Sequence, residues 1–157
     1  MRGVSVIIRV RDERANLQQC LELLKAQRDV GETELIVVDG GSRDGTAQLA
    51  RACGAQVVGT DPGAPFSYGG ALNLGAGRAG GEVLVSLSAH AFPRDDRWLA
   101  RLAETLGADP RVACACGDLH GPDGHRLSGP IAQDAALARR RPEWGYSNAA
   151  GAFRAEL

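Results

Sequence analysis

The sequence predicts an α/β protein built on a mostly parallel sheet flanked by helices. Two β-branched apolar runs, Val4–Val10 and Glu34–Asp39, begin about 30 residues apart. Between them Leu17, Cys20, Leu21 and Leu24 recur at i, i+3, i+4 and i+7, one stripe of an amphipathic helix. That is β-α-β spacing, which implies parallel strands joined by a right-handed crossover. The third observation is Asp39, which closes the run Leu35-Ile36-Val37-Val38 and precedes Gly40-Gly41. Ligands of open parallel sheets bind beyond the carboxyl ends of the strands, so a carboxylate in that position is aimed at a ligand crevice.

Each element follows from local chemistry. The first strand, Val4–Val10, ends in the polar group Arg11-Asp12-Glu13, and Gly31 closes the helix behind it. After the second strand, Ser42 is the expected N-cap and Asp44 the expected first-turn acid of a helix that reaches Cys53. Ala55–Val58 reads as a short third strand, and the run Gly59-Thr60-Asp61-Pro62-Gly63-Ala64-Pro65 as a loop. A third helix begins near Ser67, with Leu72, Gly75, Ala76 and Ala79 on one face that lets it lie close to the sheet. Glu82–Leu87 is the fourth strand. Asp95 and Asp96 open a fourth helix that buries Trp98, Leu99, Leu102 and Leu106, and Arg111–Gly117 is a further strand. Beyond it, Asp118–Pro130 reads as an exposed loop or hairpin, Ala132–Arg141 as a short helix and Tyr146–Phe153 as extended chain.

Composition narrows the function classes. A chain of 157 residues, 44% hydrophobic and 24% charged, suits one domain with a sizeable core. Aromatic residues make up only 4%, so that core falls to Leu, Val and Ala. A net charge of −1 gives no electrostatic case for nucleic acid. No apolar run approaches the roughly 18 residues of a membrane span, and the first residues carry no signal-peptide core. A cytoplasmic location is expected, with Arg139-Arg140-Arg141 read as a solvated run or as a peripheral contact at the inner membrane face. Cys20, Cys53, Cys114 and Cys116 lack a zinc-like spacing and read as small core residues.

Several ordered pieces together resemble the inverting family 2 glycosyltransferases, which have the GT-A, Rossmann-like, three-layer α/β/α fold. They are Ser5-Val6-Ile7-Ile8-Arg9-Val10-Arg11-Asp12-Glu13, Ile36–Thr46, Ala71-Leu72-Asn73-Leu74-Gly75 and Gly81-Glu82-Val83-Leu84-Val85. The resemblance implies transfer of a sugar from a nucleotide-diphosphate donor to an unknown acceptor, whether glycan, lipid or small molecule. By the match, Asp39 hydrogen-bonds the nucleotide base, Val10, Arg11 and Glu13 line base and ribose, and Asn73 lies near the phosphates and sugar. A carboxylate acceptor suits a pyrimidine N3–H donor. Where family members often carry a basic residue ahead of that asparagine, this chain has Gly70.

Two departures accompany the match. The family places Asp-x-Asp after the fourth strand to hold Mn²⁺ or Mg²⁺ on the donor diphosphate, and here the positions read Ser88-Ala89-His90. Ser88 then faces the diphosphate, while His90 either ligates a softer ion such as Mn²⁺ or donates to a phosphate. The family's acidic general-base motif does not follow Leu157, so the chain is expected to be cut short at its C-terminal end, with Asp118 as a substitute base. Plain structural readings stay open too. Asp39 can cap the second helix through the Gly-Gly turn, Asp12 and Glu13 can be first-turn charges, and Asn73 can face solvent. His120 and His125 read as solvated loop residues, and Trp144 and Tyr146 as core or sugar-stacking groups. The alternative function is a non-catalytic nucleotide-sugar-binding module or a degenerate transferase-like subunit. A sheet edge left bare would favour a partner or a homo-oligomer.

Overall fold

The computed structural model describes residues 3–65, 67–117, 119–120, 123, 125–128, 131–134 and 150–155. Its elements run β1 (Val4–Val10), α1 (Arg14–Lys25), β2 (Thr33–Asp39), α2 (Thr46–Ala52), β3 (Gln56–Gly59), α3 (Tyr68–Ala76), β4 (Val83–Ser88), α4 (Trp98–Ala108) and β5 (Val112–Cys116). The short strands β6 (Leu119–His120), β7 (Arg126–Ser128), β8 (Ile131–Asp134) and β9 (Ala150–Arg154) follow.

The main sheet has seven strands in the order β3-β2-β1-β4-β9-β5-β8, and β6 and β7 form a separate hairpin. The first four are mutually parallel: β1 pairs β2 from Val4–Thr33 to Val10–Asp39 and pairs β4 from Val4–Val83 to Arg9–Ser88. That register brings the carboxyl ends of β1, β2 and β4 level, which is what assembles the site. β9 runs antiparallel between β4 and β5, and β8 antiparallel outside β5. Arg154 pins β9 in place, donating to the carbonyls of Val112 at 2.8 Å, Asp109 at 3.0 Å and Leu106.

Alternation along β1 divides the core. Val6, Ile8 and Val10 face the larger cluster, with Leu17, Cys20, Leu21 and Leu24 of α1, Ala50 of α2 and Leu99, Leu102 and Leu106 of α4. Ile7 faces the other side, with Ile36, Val38, Leu84 and Ala71 of α3. Each fully buried Leu or Ile is worth about 1.5–3 kcal/mol, so both faces contribute strongly. The expected small face on α3 has a direct cause at Gly75: a Cβ there would stand 2.4 Å from Ile7 Cγ2 and 3.1 Å from Val38 Cγ2.

Several local expectations are corrected. α2 is entered through Gly45, at φ 89°, not through Ser42, whose hydroxyl is held by Asp39. Asp44 sits ahead of the helix and accepts from the Thr46 N–H at 3.0 Å. Asp95 likewise accepts from the Arg97 N–H at 2.9 Å before α4 begins, and Trp98 is half-buried. Ile131–Asp134 is strand and not the start of a helix, because its backbone pairs with β5. Cys20 and Cys116 are buried as expected, while Cys53 and Cys114 are half-buried. Burial pushes the Cys20 thiol up to about 12, so it packs as an inert apolar group. His120 meets Arg94 Nη1 at 2.9 Å through its Nε2. Asp118, Arg139–Arg141, Trp144 and Tyr146 lie outside the described residues. Among the described residues, no helix is long and apolar enough to cross a membrane.

Candidate functional site

The loops after β1 and β2 are stitched together by side chains that each lends to the other. Asp39 ends β2, and its Oδ1 accepts the Ser42 N–H at 3.1 Å and the Ser42 hydroxyl at 2.5 Å. The same Ser42 Oγ accepts the N–H of Asp12 at 2.9 Å, and Asp12 Oδ1 accepts the N–H of Arg43 at 2.7 Å. One turn further on, Thr46 Oγ1 accepts the Glu13 N–H at 3.1 Å and Asp44 Oδ2 the Arg14 N–H at 3.0 Å. The Arg14 N–H that opens α1 and the Glu13 N–H just ahead of it, which no intrahelical carbonyl can satisfy, are thus met by Asp44 and Thr46. Hydrogen bonds from the Thr46 hydroxyl and the Arg14 N–H hold the Asp44 carboxyl below its usual range.

Among the clefts that the described residues form at the carboxyl edge of the sheet, two lie side by side next to this knot. The larger, about 880 Å³, lies between the glycine turn after β2 (Gly40, Gly41, Arg43), the loop Gly59–Pro65 and the start of α3 at Ser67, Gly70, Ala71 and Leu74. The smaller, about 320 Å³, is lined by Arg9, Val10, Arg11, Glu13, Val38, Tyr68, Ala71, Ser88 and His90. Arg11 and Ala71 border both, so the clefts adjoin. Three arginines, Arg9, Arg11 and Arg43, face them against the acids Asp61 and Glu13.

Val10, Arg11, Glu13, Ser88 and His90 are therefore brought together in the smaller cleft. Asp39 is not among the residues lining either cleft; it lies behind Gly40 and Gly41 and braces their turn through Ser42, and it does not cap α2, which Gly45 enters without a side-chain cap. Its carboxylate has lone pairs beyond the three contacts with Ser42. Asn73 is exposed on α3 and lines neither cleft, whereas its neighbours Ala71 and Leu74 do.

Sequence reasoning missed Arg9 and Tyr68. Arg9 is on β1 with the parity of Ile7, so it emerges on the α3 side, where its guanidinium lies 5.1 Å from the centroid of the Tyr68 ring and its Nη2 3.4 Å from Ser88 Oγ. The signal was a charged residue inside the apolar run Val6-Ile7-Ile8-Arg9-Val10. No sequence signal foretold Tyr68.

The residues present do not fit a divalent ion of the usual kind. Mg²⁺ and Mn²⁺ want carboxylate oxygens. The β4 end offers a hydroxyl and an imidazole, and Glu13 already accepts from Asn16 Nδ2 at 2.6 Å and faces His90 Nδ1 at 3.6 Å. Among the described residues no three of His, Cys, Asp or Glu converge as metal ligands. The Arg9 guanidinium in the same cleft repels a dication.

The model of the family described as "Glycosyl transferase family 2" matches residues 5–154. This chain belongs to that family. It is 34% identical over 109 residues to the "Glycosyltransferase AglE" of Haloferax volcanii, covering 66% of this chain and 35% of that protein. It is 40% identical over 89 residues to a TPR repeat-containing protein of Synechococcus elongatus, covering 57% of this chain and 21% of that one. The chain therefore spans well under half the length of these curated relatives. Among solved structures, a mannosyltransferase from Pyrobaculum calidifontis in complex with GDP-Man and Mn²⁺ superposes with a TM-score of 0.71 at 23% identity, over 98% of this chain and 45% of that one. Glucosyl-3-phosphoglycerate synthase from Mycobacterium tuberculosis, in complex with Mg²⁺ and UDP, gives 0.70 at 22% identity, over 99% of this chain and 57% of that one. These likenesses establish the GT-A fold, mostly parallel and Rossmann-like, that the family 2 motifs implied.

Proposed function

We propose that this chain carries the donor half of an inverting family 2 glycosyltransferase, binding a nucleotide-diphosphate sugar for transfer to an acceptor. The observation that carries the reading is the pair of adjoining clefts at the carboxyl edge, fronted by Arg9, Arg11 and Arg43. The larger has the size and mixed lining of a small-molecule site and takes the nucleoside. Asp39 serves it in two ways, as brace of the Gly40-Gly41 wall and as acceptor for a base N–H. The smaller cleft takes the diphosphate and the first sugar atoms, beside Val10, Glu13, Ser88 and His90. The solved relatives whose descriptions include GDP-Man or UDP support a nucleotide donor.

The chemistry of transfer needs a base to deprotonate the acceptor hydroxyl as it displaces the nucleoside diphosphate in line. Asp118, the candidate for that role, lies outside the described residues. The second reading, a nucleotide-sugar-binding module without turnover, is favoured by the hydroxyl and imidazole that end β4 in place of carboxylates.

A thermal-shift titration with UDP, GDP and dTDP tests the donor site, since a ligand that binds only the folded state raises the melting temperature. One nucleotide is expected to stabilise the chain, and Asp39→Ala is expected to weaken that nucleotide about tenfold in a calorimetric titration, as loss of a charge-assisted hydrogen bond would. Unchanged binding in Asp39→Ala would remove Asp39 from the site. Hydrolysed or transferred sugar detected by mass spectrometry would rule out the binding-module reading.

A further inference from the structure

We propose that Arg9 is the cation of this donor site: its guanidinium holds the donor diphosphate at the ends of β1 and β4, and nucleotide binding there needs no divalent ion. The inference rests on the donor-site reading above and adds to it the source of positive charge.

Three observations converge. Arg9 lines the smaller cleft together with Ser88, one of the two positions where the family's metal-binding carboxylates would stand, and the two side chains are in contact at 3.4 Å. Replacing a carboxylate by a hydroxyl there removes the charge that would attract a dication, and the nearby guanidinium adds charge of the opposite sign. Hydroxyl and guanidinium together favour binding the anion directly over binding a metal.

Geometry also suits a phosphate. The Arg9 guanidinium lies 5.1 Å from the centroid of the Tyr68 ring, within cation–π range, so contact with an aromatic fixes a side chain that would otherwise be flexible. A guanidinium presents its in-plane N–H donors as a fork that matches two phosphate oxygens. Tyr68 is 65% exposed on the first turn of α3, so the stack stands at the mouth of the cleft and not in the core. His90 faces Glu13 at 3.6 Å on the same rim.

The test compares nucleoside with nucleoside diphosphate. The chain is titrated calorimetrically with uridine and UDP, and with guanosine and GDP, once in EDTA and once with saturating MnCl₂. Whichever diphosphate binds should do so within about twofold in the two buffers. Arg9→Met should weaken the diphosphate roughly ten- to a hundredfold and leave the nucleoside unchanged, as expected for loss of a charged hydrogen-bonding partner. Arg9→Lys should recover part of the loss, and circular dichroism of both variants checks that β1 is intact. Binding abolished by EDTA, or equal weakening of nucleoside and diphosphate in Arg9→Met, would overturn the proposal while leaving the donor site standing. Failure of every nucleotide and nucleoside to bind the unaltered chain would overturn both.

Discussion

The carboxyl ends of β2 and β4 flank β1 on opposite sides, and they are built on different principles. At the β2 end, Asp39, Ser42, Asp44 and Thr46 exchange hydrogen bonds of 2.5–3.3 Å with one another and with the loop after β1. At the β4 end, Arg9 and Ser88 stand 3.4 Å apart and His90 and Glu13 3.6 Å. The β2 end is a wall whose shape is set before any ligand arrives. The β4 end is a concentration of charge whose geometry an anion would complete. On the proposed reading, the braced end would read a planar base and the charged end would hold a diphosphate.

The sharpest way to break the comparison is to move the wall the two clefts share. Gly75→Val would drive α3 away from Ile7 and Val38 and carry Ala71, which borders both clefts, with it. A loss of about 1–3 kcal/mol is expected from overpacking, read as a shifted midpoint in urea, with nucleotide binding lost in the same variant. A variant that kept its stability would mean that α3 is not seated by this contact.

A smaller effect separates the β2 end by pH. The Asp44 carboxyl titrates below its ordinary 3.8 in the folded chain, so its contribution is complete above that value. Below it the unfolded chain takes up the proton first, and the contribution is lost as pH falls through the folded value. The melting temperature should therefore drop through this acid range, and Asp44→Asn should flatten part of that drop while lowering stability at neutral pH. An identical acid profile in the variant would detach Asp44 from the brace.

The smallest effect is expected at the β4 end. His90 is 67% exposed and its partner Glu13 stands 3.6 Å away, so His90→Ala should change stability by no more than about 0.5 kcal/mol. A larger loss in a chemical melt would show that this end is braced as firmly as the other, and the contrast would fail.

Much of this architecture was legible from residues alone, because local chemistry decides it. The β-branched runs name β1, β2 and β4, the i, i+3, i+4, i+7 stripe names α1, and Asp39 at the end of its strand with two glycines behind it marks the carboxyl edge where the clefts open. The need for a small residue on α3 was visible at Gly75, since a helix that lies close to a sheet leaves no room for a Cβ. Tertiary structure alone decided the rest. Ser42 looks like a helix cap until the loop after β1 arrives with an N–H to satisfy, and then it bridges Asp39 and Asp12 while Gly45 takes the cap. Ile131–Asp134 and Ala150–Arg154 become strands by pairing with partners distant in sequence, which no local window contains. Arg9 becomes part of the site only because register sets it beside Ser88, and because α3 lays Tyr68 against it. Sequence determines which residues are apolar, turning or charged; which charges end up facing one another is a long-range outcome of strand order and helix placement.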